Sequence, residues 1–486
     1  MFHGSSGRRC ALLVLATGLC ACRGPRQESD AAPIAVKSAD ASSLEAAATS
    51  AADPAAESAA PATSPVAPGA AKSSSLVHGY TSVRYRGRTT DGQDDHDLDL
   101  LLGLDFGDAK KDRITAHLLA RGGVDLDGAT SSDPFFSLDD TIDHSLTARL
   151  YHAWADYQPE SPKPGHLERL RIGRQIDYLT PELAWFDGAS AQTRAAGKHK
   201  LQIGLYGGVP VHFFESSSSG DSILGAFAED HPWKNGRLRA DWMHLEDETR
   251  LAKHENDLFS LGLWQQLSPA LRVEGKYTHL EERPRDARLQ ATWYDPRHEW
   301  TVFVSYFELL RTQHSLALDV DPFFATLLEQ FPYRQGRLLV SKALGDSLLL
   351  QGGADVRRVS DDSDIGQFNR DFERSFVTAT IGEPLPLQLS LSLTGEVWNS
   401  PDTQIETWGA DLSRPFGSGV DASIGSYYSL FKYDLFSIEE RDDVRTYYLA
   451  LRWKESSASA FDLRYEFEDS EFGDFQTLRL GARWSF

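Results

Sequence analysis

Leu478-Arg479-Leu480-Gly481-Ala482-Arg483-Trp484-Ser485-Phe486 carries an apolar side chain at every second position and stops on an aromatic. Period two puts successive side chains on opposite faces of an extended strand, so one face holds Leu478, Leu480, Ala482, Trp484 and Phe486 while the other holds Arg479 and Arg483. Upstream the pattern returns. Phe461, Leu463, Tyr465 and Phe467 oppose Asp462, Arg464 and Glu466; Ala287, Leu289, Ala291 and Trp293 oppose Arg288, Gln290 and Thr292. Leu271, Val273 and Tyr277 alternate with Arg272, Glu274 and Lys276, Leu238, Ala240 and Trp242 with Arg237, Arg239 and Asp241, and Leu387 to Thr394 alternates throughout.

A soluble sandwich also alternates, so strand length decides. These runs last about 9 to 13 residues, enough to cross a bilayer at a tilt and longer than ordinary globular strands. In Tyr447-Leu449-Leu451-Trp453 the apolar face begins and ends on an aromatic, the pattern expected where a strand meets two lipid interfaces. Strands in lipid must close on themselves, because an open edge leaves amides without partners. The expected fold is all-β: a closed antiparallel transmembrane β-barrel of about 18 to 22 strands over residues 76–486, with 22 marked directly in the pattern.

Connections between the runs fall into two alternating classes. Gly107–Asp112, Leu267–Ala270, Leu344–Asp346, Glu383–Pro386 and Glu455–Ser459 are short. Gly87–Asp97, Asp125–His144, Glu246–Asp257, Val359–Asp371 and Tyr433–Asp443 are longer and acidic. Short turns at one end and long loops at the other imply an even strand count with both termini on the periplasmic side.

The 486 residues are 41% hydrophobic with mean hydropathy −0.39, which excludes a bundle of membrane helices, and the net charge of −22 argues against a nucleic-acid partner. Cys10, Cys20 and Cys22 are all the cysteines, so the body of the chain has no thiol chemistry. Arg8 and Arg9 precede the apolar run Ala11 to Ala16, about the length of a signal-peptide core, and residues 1–22 are read as an export signal. Residues 31 to 75 hold 18 Ala, 9 Ser and 5 Pro and no aromatic, so 23–75 is read as a disordered periplasmic linker.

Three stretches resemble known families. Leu19-Cys20-Ala21-Cys22 resembles the lipobox of bacterial lipoproteins, which implies acylation of Cys22; cleavage nearby without a lipid is the alternative. The final strand resembles the C-terminal insertion signal of outer-membrane barrels, which implies that Trp484 and Phe486 are read by the barrel-assembly machinery. Tyr151 to Tyr157, then Leu170-Arg171-Ile172-Gly173-Arg174-Gln175, then Phe186-Asp187-Gly188 resembles a strand, GRQ strand and Asp-Gly return of alginate-export and related large porins. That resemblance implies passage of an anionic exopolysaccharide, with Arg174, Gln175 and Asp187 near the pore wall and periplasmic polysaccharide-export proteins as partners. The alternative for Arg174 and Asp187 is a charged pair tying two strands together.

The polar faces give a parallel reading. Arg237, Arg239, Arg272, Lys276, Arg288, Arg452, Arg464, Arg479 and Arg483 share them with Asp241, Glu274, Asp462, Glu466 and Glu468. Guanidinium groups lining a pore attract anions, whereas full pairing with the acids would leave a neutral wall. Gln313–Arg334, with Asp321, Phe323 and Phe324, is apolar enough to be expected inside the barrel as a constriction. No local metal, nucleophile or cofactor motif stands out, so no enzyme, metal or cofactor is expected. The expected function is an outer-membrane channel for an anionic polysaccharide or smaller anions; a general diffusion porin and a barrel-anchored surface protein are the alternatives. Mass spectrometry of the mature N-terminal peptide tests the lipobox reading, which expects a lipid on Cys22; an unmodified peptide starting elsewhere retires it.

Overall fold

Twenty-two strands run in chain order through the computed structural model, which describes residues 76–486 except 91–92, 128–145, 178–180, 182–183, 213–216, 218–219, 249–252, 282, 312–331, 346, 361–370, 383–384, 402, 418, 435–438 and 471–472. The export signal, Cys22 and the linker lie outside the described residues. The strands are β1 (Val77–Thr90), β2 (Gln93–Phe106), β3 (Ile114–Asp125), β4 (Leu146–Tyr157), β5 (Leu167–Asp177), β6 (Ala184–Thr193), β7 (Gln202–Pro210) and β8 (Ser222–Asp230). Next come β9 (Gly236–Glu248), β10 (Lys253–Ser268), β11 (Leu271–Leu280), β12 (Arg283–Asp295), β13 (Trp300–Leu309), β14 (Tyr333–Leu344) and β15 (Leu348–Val359). The last are β16 (Phe372–Ile381), β17 (Ser390–Ser400), β18 (Thr403–Phe416), β19 (Val420–Asp434), β20 (Glu439–Lys454), β21 (Ser459–Ser470) and β22 (Gly473–Ser485).

Each strand pairs antiparallel with the next, and β22 pairs with β1, so the sheet closes with no free edge. The seam continues to the last residue: the Phe486 N–H donates to the Gly79 carbonyl at 3.0 Å, and the Gly79 N–H donates to the Phe486 carbonyl at 2.9 Å. Closure gives each strand a hydrogen-bonding neighbour on both sides, the condition strands must meet in hydrocarbon.

The two faces of the sheet invert the usual order of a soluble protein. Leu205 is 60% exposed, Leu261 56% and Leu289 54%, and all three share the outer face with their aliphatic neighbours. On the inner face Glu466 is 2% exposed and Thr278 1%. A continuous apolar outer surface is costly in water and is the low-energy state in lipid. Aromatic rings mark both ends of this band. Trp453 stacks on Phe461 at 5.2 Å with Trp484 edge-on to the same ring, and Tyr447 lies 6.3 Å from Phe467 toward the other end. Among the described residues no helix is long and apolar enough to cross a membrane; the crossing elements are strands.

The expected division of connections holds at the end of the barrel where β1 begins and β22 finishes, where the connections are short. At the opposite end it holds only in part. Gly87–Asp97, Glu246–Asp257 and Tyr433–Asp443 are mostly strand, because β1, β9 and β19 pair with β2, β10 and β20 as far as Thr90 and Gln93, Glu248 and Lys253, and Asp434 and Glu439. In the first, the acids that mark a loop in the sequence are cross-strand partners: Arg86 donates to Asp97 at 2.7 Å and Arg88 to Asp95 at 2.7 Å. Leu387 departs in the opposite sense. It sits in a turn with φ 65° rather than in a strand, and β17 begins at Ser390.

With the seam running to Phe486, whose side chain is exposed on the apolar face, a charge at that position meets the membrane interface during insertion. Phe486→Asp is expected to leave most of the chain unfolded outside the membrane fraction. The check is heat-modifiable gel migration of the fractionated protein, and wild-type yield of the folded band contradicts it.

Candidate functional site

Inter-strand register settles which side chains face the lumen. Arg239 lies opposite Gly262, Gly262 opposite Lys276, and Lys276 opposite Arg288, giving one row of cations along β9 to β12. A second row crosses the closing seam: Arg464 lies opposite Arg479, and Arg479 opposite Arg86. Arg237, Arg272, Arg452 and Arg483 occupy the same face, so all nine cations singled out in the sequence project inward. Like charges directly opposite repel, so each row needs acids one step along its strands.

Those acids are present. Arg464 pairs with Glu466 at 2.8 Å and Arg479 reaches the same carboxylate at 3.5 Å. Arg239 pairs with Asp241 at 2.8 Å, Arg272 with Glu274 at 2.8 Å, and Arg288 with Asp286 at 3.4 Å. Arg237 approaches Glu229 only to 3.8 Å with 40% of its side chain exposed. Arg452 lies between Asp421 and Asp462 on its two neighbouring strands. Arg483 sits over the Tyr80 ring at 4.1 Å. The wall is thus neither bare cation nor uniform neutral surface; it is a set of guanidinium rows with offset carboxylates.

Further members of this wall were hidden in the sequence. Arg84, Arg86 and Arg88 lie opposite Asp99, Asp97 and Asp95, and Arg121 extends the ladder by donating to Asp99 at 2.8 Å. The period-two spacing of both triplets is visible in the sequence, but the loop expected over Gly87–Asp97 takes in Arg88, Asp95 and Asp97. Arg374 adds another link, donating to Glu396 at 2.7 Å and approaching Asp355 at 3.5 Å.

The GRQ-like stretch divides between the faces. Ile172, 56% exposed, fixes the outward parity of β5, and Arg174 shares it. Arg174 and Asp187 lie opposite one another there and form a two-pronged pair at 2.8 and 2.7 Å, with Arg174 also donating to the Leu150 carbonyl. The expectation that these two stand near the pore wall is therefore corrected. They tie β5 to β6 on the outer side, where mutual neutralisation lowers the cost of charge. Gln175 faces inward, buried, accepting from Ser190 at 2.8 Å and donating to the Gly188 carbonyl at 3.2 Å. Gly173 is required: its φ is 122°, and a Cβ there would stand 2.1 Å from the Ala153 carbonyl oxygen.

One sector of the inner face is apolar and covered. Ala184, Phe186, Tyr206, Ile223, Met243, Leu245, Leu258 and Leu280, on β6 to β11, form a buried cluster toward the end away from the termini. Inward residues of a wide barrel are shielded only if chain folds over them. Pro181, between β5 and β6, is buried, and its carbonyl accepts from Lys276 Nζ on β11 at 3.2 Å, a reach across strands that only the lumen allows. At Pro181 the chain therefore reaches into the lumen. The expected constriction residues Asp321, Phe323 and Phe324 lie outside the described residues.

A closed sheet with an apolar exterior and a charged interior is a porin-like transmembrane β-barrel. No family model and no curated protein matches the chain. Among solved structures it is similar to the P pilus usher translocation pore, at 9% identity and TM-score 0.48, covering 85% of this chain and 99% of that one. It is also similar to Pseudomonas aeruginosa OpdO, at 14% identity and TM-score 0.38, covering 84% and 97%. A third is a BenF-like porin from Pseudomonas fluorescens, at 10% and 0.40, covering 85% and 98%. At such identities nothing about cargo follows.

Lys276→Met removes the ammonium that holds the Pro181 carbonyl. Its single-channel conductance in planar bilayers is expected to exceed the wild-type value, with added open-state noise; an unchanged trace contradicts a lumen narrowed at the Pro181–Lys276 contact.

Proposed function

We propose that the chain is an outer-membrane channel that passes anions, an acidic exopolysaccharide leaving the cell being the polymeric case. The observation that carries this is the row Arg464, Arg479 and Arg86, three guanidiniums in register across the seam of the barrel. Opposed cations store repulsion, and a passing carboxylate, sulfate or phosphate relieves it. Offset acids keep the row from binding an anion so tightly that it cannot leave.

Width supports a large cargo. Twenty-two strands spaced by about 4.8 Å and tilted by about 40° enclose a backbone circle about 44 Å across. Opposing arginines do not span that gap, so passage is governed by rows on the wall and by chain folded inward. In this reading the barrel sits in outer-membrane lipid after insertion by the assembly machinery, with the 23–75 segment as a periplasmic tether and periplasmic polysaccharide-export proteins delivering the polymer. Of Arg174, Gln175 and Asp187 only Gln175 shares the lumenal face, and it is buried there, so the alginate-export likeness gains no cargo-contacting residue from these three.

The ion pairs themselves favour a second reading, an unselective diffusion pore, because Arg239, Arg272 and Arg464 each have a carboxylate at 2.8 Å. A third, a barrel serving as an anchor, has no conductance. Reversal potential across a salt gradient separates the three. Anion preference at low salt that fades as salt screens the wall is expected, and Arg479→Gln with Arg483→Gln should weaken it. Equal permeability supports the diffusion pore, and cation preference in the wild type overturns the proposal.

A further inference from the structure

His212, Asp221 and Asp247 converge at the end of the barrel away from the termini, above the buried apolar cluster. His212 follows β7, Asp221 immediately precedes β8, and Asp247 is near the end of β9, so three neighbouring strands supply one group each. All three are more than nine-tenths buried, and one ligand atom from each lies within 4.8 Å of the others. His212 Nε2 is 2.8 Å from an Asp247 oxygen. An Asp221 oxygen accepts from the Glu248 N–H at 3.0 Å, which orients that carboxylate.

Two observations separate this arrangement from a chance group of surface acids. The first is burial, because a carboxylate withdrawn from water needs compensation close at hand. The second is register. Ser222 pairs with Glu246, which places Asp221, the residue before it, beside the Asp247–Glu248 end of β9. A divalent cation fits between one imidazole nitrogen and two carboxylate oxygens brought this close together.

We propose that His212, Asp221 and Asp247 form a site for a transition-metal dication of the zinc type. An imidazole with two carboxylates is a donor set that suits zinc, whereas calcium takes oxygen donors almost exclusively. Zinc bonds of about 2.0 to 2.2 Å in tetrahedral geometry set donors about 3.3 Å apart. The His212 and Asp247 atoms at 2.8 Å therefore open by about half an ångström to admit the ion. A water completes the shell. The structural consequence is a clamp: His212 and Asp221 bracket the connection from β7 to β8, and Asp247 fastens both to β9.

No sequence motif announces this site. The ligands are separated by 9 and 26 positions, and Asp247 is one of three consecutive acids, Glu246-Asp247-Glu248, so nothing local singles it out. Only the hairpin register brings them together.

The test uses full-length mature protein in detergent, without a histidine tag, stripped with chelator and titrated with zinc chloride by calorimetry, with metal content read by mass spectrometry. Wild type is expected to take one zinc per chain and to unfold at a higher temperature when loaded, with calcium chloride giving neither effect. Asp221→Asn and His212→Gln are each expected to weaken zinc binding by at least about tenfold while the unheated folded band stays intact. Failure of wild type to bind zinc overturns the proposal, as does tighter binding of calcium. Stoichiometric zinc in a folded Asp221→Asn, His212→Gln double variant overturns it too. Should a variant not fold, the wild-type titration against calcium still decides.

Discussion

Backbone amides in hydrocarbon have no water to turn to, and that single constraint organises this molecule. Once the outer faces of β1 to β22 are apolar, the strands must find every partner within the sheet, and the sheet must meet itself. The β1–β22 seam is where the constraint is discharged, with pairing from Tyr80 and Ser485 up to Thr89 and Gln476 and further bonds between Gly79 and Phe486. Closure then fixes the sidedness of every residue. Leu480 outward forces Arg479 inward, and the same parity propagates around the ring.

Charge placed on the concave side by that parity cannot be left alone. Arg464, Arg479 and Arg86 are pressed into register, and Glu466 and Asp97 lie beside them as partial compensation. A row of this kind is a structural element, joining β21 to β22 and β1 to β2 by pairs of opposite sign, and in the proposed reading it is also a graded surface for mobile anions. Burial of the acids is what keeps the pairs effective, since the low local dielectric strengthens attraction that bulk water would screen. The outward Arg174 and Asp187 show the other solution available to a charge, complete mutual neutralisation on the wall's exterior.

What the sequence made legible was whatever depends on period two. The strands, their number and the inward face of all nine singled-out cations follow from alternation alone, because a one-residue slip would turn leucines into the lumen. Connections were harder. Acidic residues read as solvated loop were in fact pairing across hairpins, as Asp95 and Asp97 do with Arg88 and Arg86, and composition carries no record of a partner 7 or 11 positions away. For Arg174 and Asp187 the motif likeness points to the pore wall, whereas parity with Ile172 and the alternative of a charged pair tying two strands agree with the structure. The His212, Asp221 and Asp247 group, and the reach of Lys276 to Pro181, depend on which strand ends meet in space, which no local window contains.

The most direct measurement bears on closure, since sidedness, lumen and channel all derive from it. Val83 and Ala482 are partners across the seam, and the native cysteines all precede residue 23, so Val83→Cys with Ala482→Cys introduces a pair into a thiol-free body. Directly opposed residues of an antiparallel pair lie about 4.5 to 5.5 Å apart at Cα, within disulfide reach. Mild oxidation of membranes should join the two peptides within one chain, as read by peptide mass spectrometry, and a Val83→Cys, Leu480→Cys control should join far less. Absence of the Val83 to Ala482 link under oxidant, in protein that is folded and membrane-inserted, would contradict a closed barrel.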